Sequence, residues 1–108
     1  LGSYGFLWPA YLRGLAYLQQ RAGREASQEF RKLLDHKGFV IENNVAPPLS
    51  LAQLGLARAL ALTGDASKAR QAYEELFTMW KDADPDLPAL REAKQEFARL
   101  KPVRNQER

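Results

Sequence analysis

Two stretches of this chain constrain its fold more than anything else in it. GLAYLQQRAGREASQEFRKLL runs from Gly14 to Leu34, and GLARALALTGDASKARQAYEELF from Gly55 to Phe77. Each reads as a helix, a short polar turn and a second helix. An offset of 43 residues lays Ala16 on Ala59, Ala26 on Ala69, Phe30 on Tyr73, Leu33 on Leu76 and Leu34 on Phe77. In the same register Tyr11 falls on Leu54 and Tyr17 on Leu60. Small meets small and large apolar meets large apolar, so the two stretches read as copies of one unit. Such a unit buries its apolar face only against a neighbour.

Apolar residues recur at helical spacing in five segments. The first, about Gly5 to Arg21, carries Leu12, Leu15, Ala16 and Leu18. The second, about Arg24 to Lys37, carries Ala26, Phe30, Leu33 and Leu34, with Gly38 as its left-handed stop and Phe39 placed to fold back on Leu34. The third starts at Pro47 or Pro48, where a missing N–H costs nothing, and runs to about Thr63 with Leu51, Leu54, Leu56, Ala57 and Leu60. The fourth starts behind Asp65, a good N-cap, and reaches about Trp80. The fifth starts in DPDLP and reaches about Leu100. Its apolar positions are Leu87, Leu90, Ala93, Phe97 and Leu100, with charges at Arg91, Glu92, Lys94 and Glu96. FVIENNVA, from Phe39 to Ala46, looks strand-like but has no second strand to pair with, so it is expected to be an extended connection. The fold class expected is all-α.

Within this pattern, Gly14-x-x-Tyr17 followed by Ala26-x-x-x-Phe30 resembles the tetratricopeptide repeat, as does Ala57-x-x-Leu60 followed by Ala69-x-x-x-Tyr73. The resemblance covers roughly Ala10 to Lys81. The tryptophan of the pattern is replaced by Ala10 and Gln53, its closing proline by Gly38 and Lys81, and the period of 43 exceeds the family's. The excess is assigned to IENNVAPPL. Repeats of the HEAT type, with periods of about 40 to 47, are the rival. The resemblance implies a right-handed stack of two helix pairs with a C-terminal capping helix. The single domain would span 1–100: one repeat at about 5–38, the connection 39–46, a second repeat at about 47–81, the capping helix at about 85–100, then a tail at 101–108.

The resemblance also implies a site. In the family the first helix of each pair lines a concave groove. By register the first copy presents Trp8, Tyr11, Leu15, Leu18 and Gln19, and the second Leu51, Leu54, Arg58, Ala61 and Leu62. The face is mainly apolar, which suits an amphipathic or extended peptide. The alternative is that an upstream repeat or a second copy of the chain covers the first helix. Tyr4, Phe6, Trp8 and Tyr11 crowd that end with aromatics. TMWKDADPDLPALREAKQEFARL, together with the second copy, is similar to the C-terminal helical repeats of bacterial proteins that carry a eukaryote-like serine/threonine kinase or a winged-helix regulator. That similarity implies a cytoplasmic signalling parent whose catalytic or regulatory domain lies upstream. The start at Leu1 fits an excised piece.

No residue set suits chemistry. Cysteine is absent, which removes disulfides, thiolate metal sites and a cysteine nucleophile. His36 is the only histidine and stands near a helix C-terminus, where a cation is favoured. HExxH, GxSxG, a P-loop and the kinase elements are missing. Asp82, Asp84 and Asp86 occupy the first three ligand positions of a calcium loop, but Leu87 and Ala93 stand where its Gly and Glu belong. The expectation is therefore no catalysis, no cofactor and no metal. A net charge of +3 is spread over sixteen basic and thirteen acidic residues. The nearest basic patches, Arg21 with Arg24 and Arg31 with Lys32, lack an interleaved stacking aromatic, which argues against nucleic acid. No apolar run approaches the roughly 20 residues that span a bilayer. The expected partner is a protein or peptide, with self-association through the first helix as the competing use of the same surface.

Overall fold

The computed structural model describes residues 7–35, 49–81 and 87–100. Its described residues form five helices and no strand: α1 (Leu7–Gln19), α2 (Gly23–Leu34), α3 (Leu49–Thr63), α4 (Ala66–Met79) and α5 (Pro88–Arg99). The protein is all-helical there, as its periodicity implies. The connection 39–46, the stop at Gly38, His36, the prolines at 47 and 48, the DADPD segment, Tyr4, Phe6 and the tail at 101–108 lie outside the described residues.

Each helix packs chiefly on its neighbour in sequence, and α1 also reaches α3. Small residues set how closely they approach. Ala10, Ala26, Ala52, Ala57, Ala59, Ala69 and Ala93 are fully buried. Phe30 fills the space they leave between α1, α2 and α3. Its ring tip lies so near the α1 and α3 backbones that a Cβ at Gly14 would meet Cζ at 2.7 Å and one at Gly55 would meet it at 2.5 Å. Only glycine fits there. Tyr11 closes over Phe30 edge to face, with ring centroids 6.0 Å apart.

The expected α1 stripe needs correction. Leu12, Leu15 and Ala16 are exposed and Leu18 is half-buried, whereas Ala10 and Gly14 form the buried face. The helix turns its smallest residues toward α2 because Phe30 needs the room.

The two turns between paired helices end on left-handed residues. After α1, Arg21 takes φ 61°. The Arg21 N–H donates to the Leu18 carbonyl at 3.0 Å and the Ala22 N–H to Tyr17 at 2.8 Å, a Schellman closure. After α3, Gly64 takes φ 88°, and its N–H donates to Ala61 at 3.1 Å. Asp65 then caps α4 by accepting the Lys68 N–H at 3.1 Å.

An aromatic trio holds α5. Tyr73 and Phe77 of α4 meet Phe97 edge to face at 6.1 and 5.4 Å. The Arg70 guanidinium covers the Phe97 ring at 4.3 Å. Leu90 and Ala93 are buried, while Leu87, expected in the same stripe, is exposed at the helix start.

Candidate functional site

The C-terminal halves of α1, α3 and α5 surround an open groove of about 790 Å³. Its apolar lining comes from Leu15 and Leu18 of α1, Ala61 and Leu62 of α3, and Leu100 behind α5. Gln19, Arg21 and Arg99 stand at its polar edge, and Arg58, Tyr73 and Glu96 form its polar floor.

The floor is a network joining three helices. Arg58 Nε donates to both Glu96 oxygens at 2.9 and 3.1 Å, and Nη2 reaches Glu96 Oε2 at 2.8 Å and Glu92 Oε1 at 3.3 Å. The Tyr73 hydroxyl donates to Glu96 Oε1 at 2.7 Å. Burial lowers the Arg58 pKa, but the hydrogen bond and charge of Glu96, with the Tyr73 and Glu92 charges, outweigh it and hold the guanidinium more firmly protonated than usual. Burial, then the hydrogen bond and charge of Glu96, push the Tyr73 phenol far up against the opposing pull of Arg58. Burial raises the Tyr11 phenol too, and Arg58 again opposes the shift. The floor thus ties three helices together through Arg58, Glu96 and the Tyr73 hydroxyl.

The residues expected from the sequence divide into two groups. Leu15, Leu18, Gln19, Arg58 and Leu62 come together around the groove. Trp8, Tyr11, Leu51 and Leu54 do not line it. Leu54 is only 4% exposed and belongs to the core, because α3 is covered from both sides by α2 and α4. Leu51 is half-buried. Trp8 is 49% exposed and meets Tyr11 edge to face at 6.2 Å. Arg58 also differs from a free groove cation, since Glu92 and Glu96 bind it. Glu96 is not an outward charge of α5 but the acceptor at the centre of the floor. Its place one position before Phe97 was the available signal: a carboxylate beside the apolar stripe and opposite an arginine on a neighbouring helix. Leu100 belongs to the apolar stripe expected of the fifth segment, whereas Arg21 and Arg99 carry no signal in apolar periodicity, because each is a polar residue at a helix end.

Gln53 holds the position that the repeat pattern gives to tryptophan. It is buried and donates to the Ala72 carbonyl at 2.9 Å, so it is satisfied as part of the packing. Among the described residues no group of three or more His, Asp or Glu side chains could hold a metal ion, and no helix is long and apolar enough to cross a membrane. Compared with known proteins, the chain matches no family model, no curated protein and no solved structure.

Proposed function

We propose that this chain is a non-catalytic protein-interaction module: two tetratricopeptide-like helix pairs in a right-handed stack, capped by α5, whose groove binds a peptide segment. The observation that carries the reading is the groove itself. It is open and concave, it is apolar along Leu15, Leu18, Ala61, Leu62 and Leu100, and it lies where first helices of successive pairs would line a concave face. Its floor charges are engaged with one another, Arg58 with Glu92 and Glu96, so an occupant meets a floor that is already hydrogen-bonded. Selection of a displayed random-peptide library on the chain tests this, with Leu15→Gln as counter-target. Leu15 is exposed, so the variant keeps the fold while roughening the groove. Peptides that bind the parent and not the variant support the reading; a library that yields none overturns it.

A second reading rests on another observation. Trp8 and Leu12 are 49% and 57% exposed on the outer side of α1, a surface that pairing with a second copy would cover. Sedimentation across a range of concentrations separates the two. A dimer converted to monomer by Trp8→Glu favours assembly, and a monomer at every concentration removes it.

A further inference from the structure

Two arginines stand beside the groove's apolar lining, Arg21 just beyond α1 and Arg99 in the last turn of α5. Neither has an ion-pair partner among the described residues. Arg58, the third cation there, is already bound by two carboxylates. Among the described residues the groove therefore joins an apolar surface to two arginines outside any ion pair, and its lining carries three arginines against one glutamate.

A helix C-terminus attracts cations by its dipole, which is reason enough for Arg99. It is not reason enough for Arg21. Arg21 holds a left-handed φ of 61°, and the residue 43 positions on, in the matching turn, is Gly64. A cation at Gln19 or Gln20 would answer the dipole of α1 equally well with an ordinary backbone. Non-glycine residues held in the left-handed region concentrate at ligand-binding sites, where the side chain is kept despite the strain. Here the strained residue is one of the groove's two arginines without an ion-pair partner among the described residues.

Resting on the peptide-groove reading, we propose that the occupant is an apolar peptide segment flanked by Asp or Glu, whose carboxylates are taken by Arg21 and Arg99. The apolar side chains bury against Leu15, Leu18 and Leu62, and the acids answer the charge at the edge. Exposed ion pairs of this kind change affinity by about two- to fivefold each.

The test uses the library selection above, then measures an enriched fluorescein-labelled peptide and its Glu→Gln counterpart by anisotropy. Leu15→Gln is neutral, so the counter-selection does not bias charge. Enriched peptides should carry Asp or Glu beside large apolar residues. Arg21→Gly and Arg99→Gln should each weaken the acidic peptide by about two- to fivefold and leave the Gln peptide unchanged. Arg21→Gly also relieves the backbone, so a thermal melt should show a fold at least as stable as the parent's. Weaker binding on a firmer fold assigns the loss to the side chain. Enriched apolar peptides without acids, or an acidic peptide indifferent to both arginine variants, would sink the proposal and leave the groove standing. Failure to enrich any peptide sensitive to Leu15→Gln removes both.

Discussion

The two helix pairs carry matching residues yet close their turns by different means. In the second pair the turn is written locally. Gly64 takes the left-handed position without strain, the Thr63 hydroxyl donates to the Leu60 carbonyl at 2.7 Å, and Asp65 caps α4. In the first pair Arg21 takes that position and Ala22 precedes α2 with no side-chain cap. The first turn is instead held from a distance. Gly23 lies so close to α3 that a Cβ there would stand 2.6 Å from the Ala59 carbonyl oxygen, and Phe30 is gripped between Gly14 and Gly55. A helix–turn–helix pair can thus rest on turn chemistry in one case and on tertiary packing in the other.

That difference predicts where the fold is most fragile. Phe30 is fully buried and supplies the contact shared by α1, α2 and α3. Phe30→Ala should destabilise the chain by about 3–5 kcal/mol, a large part of the total for a domain of this size. Urea unfolding measures it. Gly55→Ala drives a methyl into the ring and should cost about 1–3 kcal/mol. Phe30→Leu should recover part of that loss, because the smaller side chain vacates the clash. Purely additive effects of the pair would show that the ring and the glycine do not share the contact.

The next effect concerns α5. Glu96→Ala leaves the Tyr73 hydroxyl without its acceptor and Arg58 with only its 3.3 Å contact to Glu92. It should cost about 1–2 kcal/mol, near the low end for charged hydrogen bonds because Arg58 is a third exposed. Amide exchange should rise first in α5. The same network predicts alkaline sensitivity. The Tyr73 phenol is raised above its ordinary value near 10, so the folded chain holds that proton where the unfolded chain has released it. The stabilisation is complete below about pH 10 and is lost as pH rises from there toward the raised value. Denaturation curves should show stability falling above pH 10, with a shallower fall in Tyr73→Phe. Tyr11, also raised, keeps part of the slope in that variant. An unchanged profile would detach Tyr73 from the effect.

Much of the helical layout could be read in advance because its signals are local. Periodic apolar positions and the N-cap at Asp65 put α3 and α4 within a residue or two of their positions. The buried face of α1 differs from the one its hydropathy implies for a non-local reason. Leu12, Leu15 and Ala16 suit a buried stripe by hydropathy, but the neighbour's Phe30 selects Ala10 and Gly14 by shape. The candidate site follows the same division. Leu15, Leu18 and Leu62 follow from the groove register that the tetratricopeptide resemblance implies. The loss of Leu54 to the core and the engagement of Arg58 by Glu96 depend on which helix covers α3, and one strand of sequence does not record that.

Smaller effects test the turns directly. Gly64 has nothing within 4 Å of an added Cβ, so Gly64→Ala costs only the left-handed backbone, about 1 kcal/mol. Asp65→Ala removes the acceptor for the Lys68 N–H and should cost about 1 kcal/mol. Both losses should appear as lower melting temperatures with unchanged helical content. Equal tolerance at the two sites would mean that this turn, too, is held from outside.

The first turn should respond with the opposite sign. Arg21→Gly removes the left-handed penalty and should stabilise by a few tenths to about 1 kcal/mol, less than the full penalty because glycine gains freedom in the unfolded chain. Ala22→Asp would place an acceptor before α2, where none now caps the helix. It should add about 0.5–1 kcal/mol, provided the half-buried site admits the carboxylate. The two changes act on one turn, so their sum measures how far it was left unoptimised. If Arg21→Gly destabilises the chain, the guanidinium contributes to folding and the side chain is not held there for a partner. If it stabilises, the arginine persists against local preference, and the two turns differ in that one is shaped by folding while the other keeps a residue that folding does not favour.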